Sequence, residues 1–491
     1  MPAPLAYGRE TLPSRSRPPP RAPILAPVTR IDRRGFLRHS AAYAGGAVAG
    51  LAALNGFAAA CAKTGGAAVL RPEAGPGTGG YGPLRNAGPE LALPRDFTYR
   101  VLGVEGSRMS DGNPTPSRHD GMAAFPPPNG TIRLIRNHEV DNVPRDGAAV
   151  GDPAAAYDGG AGGGTVSLEV HPETRELIRD FMSLNGTWRN CAGGPTPWGS
   201  WLSCEEAFFG HESGFGARHG YIFEVPVARE RLEPTEPLVA MGRLVHEAVA
   251  VDPATGIVYQ TEDQHLAGFY RFLPQRPYLN GHAGDLGAGG RLQMLAVAGR
   301  RWYDTRTGQR AGRILPITWV DIPDPDPQGG PEAVSAVFKQ GYDQGAAAFA
   351  RLEGCWYGDG NVYLVSTNGG NAELGQVWRY RPVGPDAGEL MLVFESPHRS
   401  VLNRPDNVCV SPKGALVLCE DANDRRQYVR GLTPEGRVFD IAANIANDSE
   451  LAGATFSPDG RTLFFNILGN IARRAPGMTL AVWGPWERGA V

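Results

Sequence analysis

The feature that most constrains this chain is a short hairpin that keeps recurring. Beyond residue 90 one pattern returns: a polar residue, a short apolar strand, a turn of Pro, Gly, Asn or Asp, a second apolar strand, then an acid or Asn. Glu247–Val251 runs into the turn Asp252–Gly256, and Ile257–Thr261 then leads to Glu262 and Asp263. Asp406–Val410, Ser411–Gly414 and Ala415–Cys419 lead likewise to Glu420 and Asp421. Glu353–Tyr357 turns at Gly358–Asn361, and Val362–Ser366 leads to Asn368. Glu450–Phe456 turns at Ser457–Gly460, and Thr462–Phe465 leads to Asn466. Two looser copies precede these: Asp120–Phe125 with Ile132–Ile135, ending at Asn137-His138-Glu139, and Cys191–Gly194 with Trp198–Leu202, ending at Glu205-Glu206. Each copy reads as a β-hairpin closed by Pro and Gly. Six such hairpins predict an all-β fold, a β-propeller of six blades with loop insertions. With 66 Gly and 43 Pro in 491 residues, the chain is as turn-rich as that fold requires.

Gly220–Val225, Gly268–Phe272 and Gln376–Tyr380 alternate apolar and polar residues and supply outer strands. The polar, Pro-rich stretch 274–344 reads as an insertion carrying loops or a short helix. The chain then divides into a leader over 1–61, a linker over 62–90 and the propeller over 91–491.

The leader is set aside from the fold. Asp32-Arg33-Arg34-Gly35-Phe36-Leu37, followed by a weakly apolar Ala/Gly run from Ser40 to Ala60, resembles a twin-arginine export signal. Ala and Gly contribute too little transfer energy for a stable membrane span. The expected partner is therefore the twin-arginine machinery and the expected location periplasmic or extracellular, with a lipid anchor on Cys61 as a further option. A net charge of −3, from 48 basic and 51 acidic side chains, gives no reason to expect nucleic acid or an anionic membrane as partner. A monomer is expected.

In a propeller the first strand of each blade lines the central channel. Its start lies at the same end as the end of the second strand. Asp120, Cys191, Glu247, Glu353 and Asp406 should therefore ring one mouth. Asn137, Glu139, Glu205, Glu206, Glu262, Asp263, Asn368, Glu420 and Asp421 should stand close behind. So much negative charge in a small volume raises the pKa of its own members or calls for cations. Many oxygen ligands suit Ca²⁺. A thiolate among them suits a softer or redox-capable ion such as iron. Histidine is scarce, ten in all, of which His138 and His246 sit beside the acids, and a zinc site would normally recruit more His or Cys. Beyond Cys61 five cysteines remain, so at least one stays unpaired in an oxidising compartment, either buried or a ligand.

The block Asn190-Cys191-Ala192-Gly193-Gly194, with Thr196–Gly199 and Trp201–Glu206, resembles the signature of the PhoX-type alkaline phosphatases. Asn137–Glu139, His246-Glu247, Ala350–Gly354 and Arg404–Asn407 resemble its other blocks in the same order. The resemblance implies hydrolysis of phosphate esters with two ferric ions bridged by oxide and calcium ions beside them. It implies Cys191 as an iron ligand and Glu205, Glu206, Glu247 and Glu353 as bridges between iron and calcium. Glu139, Asp406, Glu420 and Asp421 join the metal set, with their division between direct and indirect contact open. Arg351 falls on the phosphate-contacting arginine, and Asn137 on a donor to phosphate oxygens. The rival readings are a calcium-dependent propeller lactonase and a non-catalytic binding propeller that calcium only rigidifies.

Overall fold

The computed structural model describes residues 80–491 apart from 128, 142–146, 283, 423–425 and 471–474. The export leader and Cys61 lie outside the described residues. The chain is nearly all β, with Ala336–Asp343 the α-helix among the described residues. Strands group into antiparallel units in chain order. The first holds His119–Phe125, Ile132–His138, Gly163–Val170 and Leu177–Thr187. The second holds Asn190–Pro195, Ser200–Glu205 and Ile222–Pro226. The third holds His246–Val251, Val258–Glu262, Phe269–Arg276 and Asp285–Val297, and the fourth Leu352–Gly358, Asn361–Ser366, Gln376–Pro382 and Gly388–Glu395. Pro405–Val410, Leu416–Glu420, Tyr428–Leu432 and Val438–Asn444 form the fifth. Leu451–Phe456, Leu463–Ile467 and Met478–Trp483 begin the sixth.

The first strand of each unit packs against the first strands of the units before and after it, and that of the sixth packs against that of the first. These strands thus close a ring around a channel, as a propeller requires. An N-terminal strand, Thr98–Leu102, completes the sixth sheet by pairing with Met478–Trp483, Leu102 facing Thr479. The two ends of the domain are thereby joined in one sheet.

Apolar side chains fill the spaces between sheets. Tyr259, Phe269, Trp319 and Tyr380 form an aromatic cluster between the third and fourth units, with ring centroids 5.2–6.2 Å apart. The stretch 274–344 carries more than loops and a helix. It supplies the whole of Asp285–Val297 and a further strand, Ile314–Asp321, which joins the third and fourth sheets into one of nine strands. Ile314–Asp321 alternates exposed and buried residues along most of its length, so a strand with one wet face reads as polar sequence.

The detail that positions the site is a bulge. In all six units the pairing of the first two strands slips near the channel mouth: between His119 and Met122, Asn190 and Gly193, His246 and Val249, Leu352 and Cys355, Pro405 and Val408, Ala452 and Thr455. A bulge frees residues from the ladder and re-aims their side chains. Those freed are Asp120-Gly121, Cys191-Ala192, Glu247-Ala248, Glu353-Gly354, Asp406-Asn407 and Gly453-Ala454. The second of each pair is mostly small because a neighbouring strand abuts it. A Cβ on Gly354 would lie 2.5 Å from the Asp406 carbonyl oxygen and 2.7 Å from the Val408 amide.

Candidate metal centre

Two residues before the bulge residue the chain holds Arg118, Arg189, Arg351 and Arg404, with φ of 53°, 49°, 41° and 53°. Non-glycine residues rarely occupy this left-handed region, and such strain gathers at functional sites. The kink lets each arginine carbonyl accept from an amide just past the second strand: Glu139 (3.0 Å), Glu206 (2.9 Å), Thr367 (2.9 Å) and Asp421 (3.0 Å) respectively. In the third unit Val245 accepts from Asp263 at 3.1 Å. The contacts bring Glu139, Glu206, Asp263 and Asp421 back beside the bulge residues.

Ligand atoms converge in three groups: Glu139, Cys191 and Glu206; Asp120, Glu139 and Glu450; Glu247, Glu353 and Asp406. Within each group they lie within 4.8 Å of one another. The Cys191 Sγ lies 3.5 Å from Asp120 Oδ2 and 3.3 Å from Glu247 Oε1. Asp120 Oδ1 and Glu247 Oε2 are buried without a hydrogen-bond partner. Burial, with neighbouring carboxylates adding to it, pushes Asp120, Glu247, Glu353 and the Cys191 thiol well above their ordinary values. Burial and Asp421 push Asp406 up to about 7. Burial, Asp421 and Glu139 raise Glu450 as well. Buried acceptors with no donors are what a set of cation ligands looks like without its cations, so the residues present fit metal ions.

Arginines offset part of this charge. Arg189 Nη2 lies 2.9 Å from Glu139 Oε1 and 2.7 Å from Glu206 Oε2, and Arg118 pairs with the other oxygen of Glu139. Burial alone would raise Glu139, but these two guanidiniums outweigh it and hold the carboxyl below its ordinary value. Arg351 forks onto Asp263, with both bonds 2.9 Å, and also reaches Glu353. Glu206 in turn is raised by burial, with Asp263 beside it adding to the rise against the pull of Arg189.

Of the residues expected at the site, Cys191, Glu139, Glu206, Glu247, Glu353 and Asp406 meet there, with Arg351 at their edge. Asp421 stands beside Asp406 and Glu450. Glu205 and Glu420 lie outside the three groups, because each is the last residue of its second strand and faces its own blade. Glu205 accepts from the amides of Trp188, Gly220 and Tyr221 at 2.8–3.1 Å and touches His219 Nδ1 at 2.6 Å. Glu420 accepts from the Asn403 amide and from Arg430. Asn137 is fully engaged: Nδ2 donates to the Cys191 and Ala192 carbonyls, and Oδ1 accepts from Trp201 Nε1 and Ser203 Oγ. Completely buried, it braces the Cys191 bulge and has no donor left for phosphate. His138 and His246 turn toward the Ser117 and Gly242 carbonyls. The five described cysteines are all free and buried.

Sequence reasoning passed over Glu450. The sixth bulge residue is Gly453, which has no side chain, and the acid lies three residues before it, one position earlier than the kinked arginines of four other units. The recurring Arg two residues before the bulge was readable in the sequence and would also have singled out Arg118 and Arg189. Above the groups opens a cleft of about 510 Å³. Arg189, Arg351, Glu206 and Asp263 lie at its base, and Phe208, Phe209, Val245, Pro331 and Val334 form apolar walls.

Comparison with known proteins accords with this geometry. The family described as alkaline phosphatase PhoX matches residues 79–177 and 169–469. No curated protein sequence matches the chain. Among solved structures, the chain is similar to Pseudomonas fluorescens PhoX in complex with vanadate, a transition-state analogue. The TM-score is 0.64 at 17% identity, covering 83% of this chain and 98% of that one. A gluconolactonase from Xanthomonas campestris aligns at a TM-score of 0.38 and 12% identity over 81% of this chain and 99% of its own. With the family matched over most of its length and the propeller shared with a solved member, the chain belongs to the PhoX alkaline phosphatases and is a phosphoric ester hydrolase.

Proposed function

We propose that the protein is an exported alkaline phosphatase that hydrolyses small phosphate esters at the channel mouth with an iron–calcium centre. The observation that carries this reading is the meeting of Cys191 with Asp120 and Glu247, two buried carboxylates that each leave one oxygen without a donor. Glu139, Cys191 and Glu206 would hold iron, because a thiolate favours the softer ion. The oxygen-only groups Asp120–Glu139–Glu450 and Glu247–Glu353–Asp406 would hold calcium. Bound there, the ions supply concentrated positive charge for phosphoryl oxygens and for the charge that develops on them.

The chain's own residues do the rest. A carboxylate ring alone repels an anionic substrate. Arg351, already fixed by its fork on Asp263, binds a phosphoryl oxygen at the base of the cleft. Because Asp263 holds it in place, little reorganisation is needed when substrate arrives. The apolar walls receive the alcohol part of the ester and exclude water from the reacting group. The leader directs the folded, metal-loaded protein through the twin-arginine route to the periplasm or beyond.

The test is metal analysis of the exported protein alongside hydrolysis of p-nitrophenyl phosphate. Iron with an excess of calcium is expected, with iron lost in Cys191→Ser and activity lower by about 10² or more in Arg351→Ala. Iron-free protein with full activity would overturn the assignment of the metals.

A further inference from the structure

Arg189 occupies in the second unit the station that Arg351 occupies in the fourth: two residues before the bulge, in left-handed backbone, at the base of the same cleft. A chain of polar contacts joins them, from Arg189 to Glu206, Glu206 to Asp263, and Asp263 to Arg351. The two guanidiniums are engaged differently. Arg351 commits Nε and Nη2 to Asp263 and Glu353. Arg189 commits only Nη2, shared between Glu139 and Glu206. Its Nε is buried with no partner, and Nη1 takes part in no hydrogen bond or ion pair among the described residues. The Arg189 side chain is 33% exposed, so Nη1 is open to a ligand while Nε is not.

The backbone around Arg189 is also held still. The Trp188 amide donates to Glu205 at 2.8 Å, and the Trp188 ring packs edge-on against Phe215 with centroids 4.8 Å apart. A rigid base with one free guanidinium nitrogen, Nη1, suits recognition of a phosphate oxygen.

We infer that Arg189 is a second substrate-binding arginine, which grips the phosphoryl group from the second unit while Arg351 holds it from the fourth. The inference rests on the phosphatase reading of this cleft. It assigns to Arg189 a role beyond neutralising Glu139 and Glu206: Nη2 keeps the acids in place, and Nη1 meets the substrate.

The test uses metal-loaded protein carrying Arg189→Lys or Arg189→Gln. It measures metal content, kcat and KM for p-nitrophenyl phosphate, and inhibition by inorganic phosphate. Lysine keeps the charge beside Glu139 and Glu206 but has no second nitrogen to offer the phosphoryl group. Arg189→Lys should therefore retain its metals while its inhibition constant for phosphate rises ~10- to 100-fold, the loss of one charged hydrogen bond. Arg189→Gln should weaken phosphate further. An unchanged inhibition constant in metal-replete Arg189→Lys overturns the inference. So does loss of metal in both variants, which would make Arg189 a counter-ion only. Wild-type protein that is metal-loaded yet inert toward p-nitrophenyl phosphate would instead bring down the phosphatase reading, a failure this design keeps separate.

Discussion

Three pairs of adjacent acids sit at the same place in three units: Glu205-Glu206, Glu262-Asp263 and Glu420-Asp421. The members are chemically alike and fare in opposite ways. The first of each pair ends the second strand and turns into its own blade. There Glu205 collects three backbone amides, Glu262 the Gly268 amide and Tyr270 hydroxyl, and Glu420 the Asn403 amide and Arg430. The second of each pair follows the alternation of a strand to the other side and joins the channel mouth. Glu206 meets Arg189 and a second acid there, and Asp263 is forked by Arg351. One residue of register separates an acid that holds the fold from an acid available to a cation.

The largest effects should follow that division. Glu247→Gln and Glu353→Gln remove carboxylates from the mouth and should lower kcat/KM by about 10³ or more, with metal lost and the blades intact. Glu205→Gln should leave the metal bound and instead lower stability by about 3 kcal/mol, because a charged acceptor of buried amides becomes a neutral one. Metal content and thermal unfolding, read together, decide the matter. If Glu205→Gln loses its metals while keeping its melting temperature, the two acid sets are not distinct.

The pH dependence of metal-free protein sharpens the same contrast. Asp120, Glu247, Glu353, Asp406 and Glu450 all have folded pKa values above their unfolded ones, so the folded state binds more protons. Stability then falls as pH rises from the unfolded carboxyl range through the folded values. Asp406, pushed up to about 7 by burial and Asp421, places part of that loss near neutral pH. Chelated protein should therefore unfold more readily at pH 8 than at pH 5, while metal-loaded protein should lose this slope. A chelated protein with no such slope would mean that the mouth acids are compensated by something other than cations.

Much of this was legible in the sequence. The hairpin repeat with its terminal acids gave the propeller and brought Asp120, Cys191, Glu247, Glu353 and Asp406 to one mouth. What was not legible is the slip in strand pairing, which depends on contacts between strands far apart in sequence. Without it, Glu205 and Glu206 look interchangeable, and Glu450 looks one position too early to matter. Asn137 reads as a phosphate donor until the Cys191 bulge is seen to take both its amide hydrogens. A smaller change probes the slip directly. Gly354→Ala sets a Cβ against the Asp406 carbonyl and Val408 amide, and should cost about 1–3 kcal/mol while misplacing Glu353 and Asp406. Wild-type melting temperature and activity in that variant would show the close approach of the fourth and fifth units to be unimportant.

The smallest effect is expected where chemistry and position part company most cleanly. Cys191 and Cys355 are both buried free thiols on first strands, raised above the usual thiol range by burial. Cys191 lies in its bulge and faces carboxylates, whereas Cys355 lies just beyond its bulge and packs among Leu352, Val362 and Leu364 in the apolar space between sheets. Cys355→Ala removes one sulfur from that packing and should cost about 1 kcal/mol, with metal content and kcat unchanged. The same substitution at Cys191 relieves a buried thiol among acids, so it should cost little stability and much of the bound metal. Equal loss of activity at the two positions would mean that a thiol matters here for reasons unrelated to where the bulge points it, and the contrast between mouth and blade would fail.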